Sequence, residues 1–162
     1  MSKKSSTSVQ RVRDDLAAAG LDNEVQELAA STRSAMEAAD AVGCDVAQIV
    51  KSLVLKGASS DDLILVLTSG ANRVCLDKVA ALAGEAVAMA DAGSVRERTG
   101  FAIGGVPPLG HLEPLKAIID QDLMTHTVIW AAAGSPNALF HLAPEDLLRI
   151  TGGTVASVAE GK

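Results

Sequence analysis

Residues 63–68, Leu63-Ile64-Leu65-Val66-Leu67-Thr68, form a run with no polar face, and no other stretch constrains the fold as strongly. A strand is apolar on both sides only where other elements cover both. A second apolar run, Ile49-Val50-Lys51-Ser52-Leu53-Val54-Leu55, precedes it across the polar turn Gly57-Ala58-Ser59-Ser60-Asp61-Asp62. That connector is too short for a parallel crossover, so the two runs read as a hairpin.

Helical spacing of Val9, Val12, Leu16, Leu21, Val25 and Leu28 predicts helix over 9–30, broken at Gly20. Ser31, Thr32, Arg33 and Ser34 offer N-cap candidates for a second helix through Val42, ended by Gly43. Asp45-Val46-Ala47-Gln48 has capping-box spacing and opens one short turn. Beyond the hairpin, a helix is expected over Leu76–Leu82 and a strand over Ala86–Ala90. Ser94-Val95-Arg96-Glu97 is a capping box, with Gly100 at the helix end. Leu115–Ile119 reads as a short helix, while Thr127–Ala132 and Leu139–Leu142 read as strands around Gly134-Ser135-Pro136-Asn137. Pro144-Glu145-Asp146 starts a last helix, stopped by Gly152-Gly153, and Val155–Val158 forms a final strand. Short turns between several strands imply an α+β fold, a mixed and largely antiparallel sheet with helices around it.

At 162 residues the chain has the size of one domain with a single substantial core. Residues 1–8 are expected to be a disordered tail and 9–162 one domain, with no internal repeat or linker. Aromatics make up only 2%, so the core has to be aliphatic. No apolar stretch approaches the roughly 20 residues that cross a bilayer, and the N-terminus lacks the apolar segment of a secretory signal. Cys44 and Cys75 read as reduced, partly buried thiols, which suits a cytoplasmic protein. A net charge of −6 argues against sequence-independent DNA binding but permits a local basic patch for one end of an RNA. His111, His126 and His141 show no metal-ligand spacing, so neither a metal nor a cofactor is expected. Glu145 and Asp146 are explained by support of a helix N-terminus rather than by catalysis.

Two features carry chemistry. Lys51 lies among branched apolar residues, where its charge costs free energy unless it meets an anion or a dipole. An edge strand whose lysine reaches back to water is the competing reading. Downstream, Thr99-Gly100-Phe101-Ala102-Ile103-Gly104-Gly105-Val106-Pro107-Pro108-Leu109-Gly110-His111 presents stiff, side-chain-free backbone to which a ligand can come close. It has neither the Lys-Ser/Thr ending of a P-loop nor the spacing of a dinucleotide fingerprint. No Gly-x-Ser-x-Gly nucleophile elbow is present. One cation and one bare loop together suit a small carbonyl compound.

The ordered set Ala38-Ala39, Val42-Gly43, Gln48 to Val54, Thr99-Gly100-Phe101, Gly104 to Gly110, Leu142 to Leu148 and Thr151-Gly152-Gly153 resembles the YbaK/ProX aminoacyl-tRNA editing family over residues 34–158. The resemblance implies a mixed sheet curved into a barrel-like core and hydrolysis, in trans, of the ester that joins a wrong small amino acid to a tRNA, on proline tRNA or related tRNAs. Lys51 aligns with the lysine on which the family depends, and Gly104–Pro108 matches its Gly-x-x-x-Pro loop. On this view Lys51 anchors a phosphate or the substrate carbonyl, and N–H groups at Gly104 and Gly105 polarise the ester. Thr68, Ser69, Phe101, Pro107, Pro108, Gly134, Ser135 and Pro136 are the expected substrate contacts. The partners implied are the 3′ acceptor end of mischarged tRNA and an aminoacyl-tRNA synthetase, with no membrane and no DNA. The alternatives are a non-catalytic module that holds an aminoacyl or nucleotide end, and a small-molecule hydrolase unrelated to tRNA.

Overall fold

The computed structural model describes residues 7–21, 24–29 and 34–162. Residues 1–6 of the expected tail lie outside these, as do the cap candidates Ser31, Thr32 and Arg33. The elements in chain order are α1 (Thr7–Ala18), β1 (Val25–Glu27), α2 (Ala35–Val42), a 3₁₀ turn at Val46–Gln48, β2 (Val50–Gly57) and β3 (Leu63–Ser69). They continue with α3 (Leu76–Ala83), β4 (Val87–Met89), α4 (Ala92–Thr99), β5 (Lys116–Asp120) and a second 3₁₀ segment at Gln121–Thr125. β6 (Ile129–Ala132), β7 (Ala138–Leu142), α5 (Pro144–Thr151) and β8 (Thr154–Ala156) complete the fold.

Local signals place most of these ends. The Ser34 side chain accepts the Glu37 N–H at 3.1 Å and so caps α2, and Gly43 ends that helix in the left-handed region. The Asp45 N–H donates to Gln48 Oε1 at 3.0 Å, the returning half of the capping box. Pro144 opens α5 and Gly152 closes it. α4 begins earlier than its Ser-x-x-Glu pattern predicts, because Asp91 is the cap and accepts the Ser94 N–H at 2.7 Å.

Two expectations are corrected. The helix expected over 9–30 ends at Ala18, and Leu21 N–H returns to the Leu16 carbonyl at 2.9 Å just after the break at Gly20. Val25 then pairs antiparallel with Phe140, so tertiary pairing overrides the helical spacing. Residues 115–119, expected as helix, contribute to strand β5, parallel to β3. A short branched apolar run satisfies either period, and the neighbouring strand decides.

Strands β4-β2-β3-β5-β8 form a five-stranded sheet, and β1-β7-β6 form a three-stranded one. β2 runs antiparallel to β3 and β4, whereas β3, β5 and β8 are parallel; the smaller sheet is wholly antiparallel. The fold is therefore mixed α+β. Among the described residues the strands form two sheets, linked by a parallel bridge between Ile49 and Trp130, and no closed barrel is found.

All seven residues of β3 are buried, as its lack of a polar face requires. Leu63, Leu65 and Leu67 share the main core with Val12 and Leu16 of α1, Ile129 and Phe140 of the smaller sheet, and Leu147 of α5. Ile64 and Val66 face Val79 of α3, Ile118 and Val158 on the opposite side. A third cluster under α2 joins Ala38 and Ala39 to Ile49, Trp130 and Leu139, and it seats the helix against both sheets.

Because Leu67 is fully buried, Leu67→Ala is expected to lower unfolding free energy by about 2–5 kcal/mol. Leu112, which is 62% exposed, serves as the control, with Leu112→Ala shifting stability by no more than about 0.5 kcal/mol in the same urea titration.

Candidate functional site

β4 pairs with β2 only over Leu55–Gly57, and the Ala90 N–H adds one bond to the Val54 carbonyl. Among the described residues the first half of β2 therefore presents an edge toward the smaller sheet, touching it at the Ile49–Trp130 bridge. A cavity of about 260 Å³ opens along this edge. Lys51, Ser52 and Leu53 line it from β2, Ile103 and Gly104 from the glycine-proline segment, and Ala132 and Leu139 from the smaller sheet. Ser34, Ala35 and Ala38 contribute the start of α2. The expected cation and the expected bare loop thus meet at one cavity.

Lys51 is half-buried and lies opposite Thr68 in the β2–β3 register. Its Nζ donates to the Asn72 carbonyl at 2.6 Å. An ammonium has three donors, so this contact leaves others for a ligand. Burial holds the Lys51 pKa below the ordinary lysine value; the Arg73 guanidinium pushes the same way, and the Asp120 carboxylate pulls back. Thr68 is fully buried beside Lys51, and its hydroxyl has no partner among the described residues. The same holds for the Ser52 hydroxyl, whose residue lines the cavity. A buried hydroxyl left unpaired costs about 1–3 kcal/mol, so that of Ser52, on the cavity lining, suits a ligand. Ser69 has a structural bond instead, its hydroxyl donating to the Ala47 carbonyl at 2.8 Å. Neither Thr68 nor Ser69 is among the residues lining the cavity.

The glycine-proline segment turns sharply over Ala102–Gly105. The Gly105 N–H donates to the Ala102 carbonyl at 3.0 Å, and Gly104 takes φ +94° at the third position, where glycine is favoured. That bond corrects one expectation: the Gly105 N–H closes the turn and is not offered to a ligand. The Gly104 N–H has no partner among the described residues. Gly105 serves instead as a point of close approach. A Cβ there would lie 2.7 Å from Ser135 Cα and 2.8 Å from Ser135 N, and the Gly105 carbonyl accepts the Gly134 N–H at 3.0 Å.

Other expected contacts lie elsewhere. Gly134, Ser135 and Pro136 stand behind the turn and do not line the cavity. Phe101 is 1% exposed in the main core, under the Arg11 guanidinium at 4.8 Å, and has no face toward a substrate. Pro107 and Pro108 are buried. The Pro107 carbonyl accepts from His111 Nε2 at 2.7 Å, and Pro108 lines a separate hollow of about 220 Å³ near Leu109 and His111. Ser52, Ile103, Ala132, Leu139 and the start of α2 are lining residues that the sequence reading missed. Only Ile103 carried a signal, as the residue preceding the glycine pair. No group of three His, Cys, Asp or Glu side chains among the described residues is placed to hold a metal.

Comparison with known proteins gives concordant results. The model of the aminoacyl-tRNA editing domain matches residues 29–150, leaving α1 outside. An uncharacterised protein of Bacillus subtilis, YwhH, is 29% identical over 140 residues, covering 86% of this chain and 88% of its own length. EbsC of Enterococcus faecalis, a candidate Cys-tRNA(Pro)/Cys-tRNA(Cys) deacylase, is 27% identical over 126 residues, covering 77% and 76%. The crystal structure of a candidate trans-editing enzyme for prolyl-tRNA synthetase is 49% identical with a TM-score of 0.92, covering 98% of this chain and 100% of its own.

The glycine at 105 is open to a direct test. Gly105→Ala must push the turn away from the Ser135 backbone and is expected to cost about 1–3 kcal/mol in chemical denaturation. A loss below about 0.5 kcal/mol would show that the two segments are not held together at this point.

Proposed function

The chain belongs to the aminoacyl-tRNA editing domain family, and from that premise we propose that it hydrolyses, in trans, the ester of a tRNA mischarged with a small amino acid. Proline tRNA, or a related tRNA, is the carrier in this reading, and the cytoplasm is where the reaction takes place. The names of two relatives support the substrate class, one a candidate Cys-tRNA(Pro)/Cys-tRNA(Cys) deacylase and one a candidate trans-editing enzyme for prolyl-tRNA synthetase. The observation that carries the proposal is that Lys51 and Gly104 line one cavity of about 260 Å³. That volume falls just below the range of about 300–1,000 Å³ for drug-sized ligands, and it suits an aminoacyl group rather than a whole nucleotide.

An aminoacyl ester is already activated, so the protein has to orient it and stabilise the oxyanion that develops. Water adds to the ester carbon, the bond from that carbon to the ribose oxygen breaks, and the ribose oxygen takes up the proton the water loses. The free Gly104 N–H and the unused Lys51 donors face the negative charge while it exists. Removal of a single donor of this kind costs about 3 kcal/mol. Selectivity comes from the walls, where one methylene is worth about 1–3 kcal/mol, enough for a second sieve after a synthetase. The net charge of −6 gives little general attraction for tRNA phosphates, which favours delivery by a synthetase partner.

A panel of tRNAs charged with Ala, Ser, Cys or Thr tests this reading. The protein is expected to release at least one of these amino acids, and Lys51→Ala to lower kcat/KM about 100-fold with an unchanged circular-dichroism spectrum. Tight binding across the panel without turnover would replace the enzyme by a binding module.

The pH profile gives a second test. A depressed Lys51 pKa means that the ammonium is lost as pH rises through that lowered value. With spontaneous hydrolysis subtracted, the alkaline limb of kcat/KM is therefore expected below the ordinary lysine value of about 10.4. A limb at or above that value would contradict a lowered Lys51 pKa, and the absence of an alkaline limb would contradict the role given to its ammonium.

A further inference from the structure

We propose that Asp120 is the positioning residue of this site, its buried carboxylate fixing the 69–72 turn whose carbonyl holds the Lys51 ammonium. The proposal rests on the deacylase reading only in taking Lys51 to act on substrate.

Asp120 ends β5 and is 1% exposed. Its Oδ2 accepts the Ser69 N–H at 3.0 Å and Asn72 Nδ2 at 2.9 Å, while Oδ1 accepts the Asp122 N–H at 2.9 Å. The second amide proton of Asn72 goes to Asp122 Oδ2 at 2.8 Å. This fixes the orientation of the Asn72 amide, since the reverse would set its oxygen against two carboxylates. The Asn72 N–H closes the turn on the Ser69 carbonyl at 2.9 Å, and the Gly70 N–H ties it to the Ile49 carbonyl at 2.7 Å. The Asn72 carbonyl is thereby held where it meets Lys51 Nζ at 2.6 Å. Position is transmitted from β5 to the turn and from the turn to the ammonium.

Both carboxylate oxygens accept here, and an amide in their place would match the donors on only one of them. A buried carboxylate is costly, and among the described residues no cation lies within ion-pair distance of this one. The charge has a use that an amide lacks. The charged groups acting on Lys51 are Arg73, from the end of the turn, and Asp120, from β5; Asp120 opposes both Arg73 and burial. Asp122 and Lys162 lie on the far side of Asn72 and are paired with each other at 2.8 Å. Asp120 thus both places the ammonium and favours its protonated state.

Asp120→Asn separates this role from a merely structural one. In protein carrying [13Cε]lysine, the Lys51 resonance is assigned by its loss in Lys51→Arg. Its titration midpoint is expected to fall by at least about half a pH unit in Asp120→Asn. In parallel, kcat for ester hydrolysis falls about ten- to a hundredfold with little change in KM. A folded Asp120→Asn variant with an unmoved Lys51 midpoint and an unchanged kcat would overturn the proposal. If that variant does not fold, Asn72→Ala keeps the buried charge and cuts the tether. Its kcat is then expected to fall about tenfold with the Lys51 midpoint no lower, and an unchanged kcat overturns the positioning role. Should the wild type hydrolyse none of the charged tRNAs, the deacylase reading fails, while the lysine titration still decides for or against Asp120.

Discussion

Burial of β3 on both faces is the constraint from which the rest of the architecture follows. A strand with apolar residues at every position has to be central, so β2 and β5 flank it and helices or the second sheet cover each side. Its odd-numbered residues join the core beneath α1 and α5, and its even-numbered ones join the core beneath α3. With β3 central, β2 stands one strand from the edge of the five-stranded sheet, and β4 is too short to cover its whole length. The cavity opens where that cover ends.

The two halves of the site are held by different means. Lys51 belongs to a regular strand, and its ammonium is placed by the turn that follows β3, a turn anchored on the carboxylate at the end of β5. Gly104 belongs to an irregular segment that keeps its shape through backbone contact, one hydrogen bond across the turn and close packing of Gly105 on Ser135. α1, which lies outside the matched editing domain, supports that second half. Arg11 donates to the Gly110 carbonyl at 2.7 Å and covers Phe101, and Gly134 packs against the Ser8 carbonyl. A rigid strand and a braced loop meet with Lys51 as the one long charged side chain on the described lining, which leaves a largely apolar cavity with a few directed donors.

How far the site could be read in advance depended on the kind of signal each residue carried. Lys51 was conspicuous as a charge inside an apolar run, and Gly104 as half of a glycine pair ahead of prolines. Ser52, Ala132 and Leu139 were not, because an ordinary strand residue lines a cavity only by virtue of which neighbour is missing. Phe101 was expected as a substrate contact, yet it is the anchor of the loop in the core. Asn72 and Asp120 lie about fifty residues apart in the chain, and their hydrogen bond has no sequence spacing by which to announce itself.

Local chemistry in the chain was enough to determine the hairpin, the helix ends marked by the 31–34 stretch, Gly43, Pro144 and Gly152, the mixed character of the fold, and the identity of the cation and the bare loop. These follow from short-range rules, since caps, turn glycines and two-sided hydrophobicity act within a few residues. Tertiary structure alone decided that 25–27 and 116–120 are strands, that the strands form two sheets joined at the Ile49–Trp130 bridge, and that the Gly105 N–H closes a turn. Each of those outcomes turns on which distant backbone supplies the hydrogen-bond partner, and a linear pattern of side chains does not encode that choice.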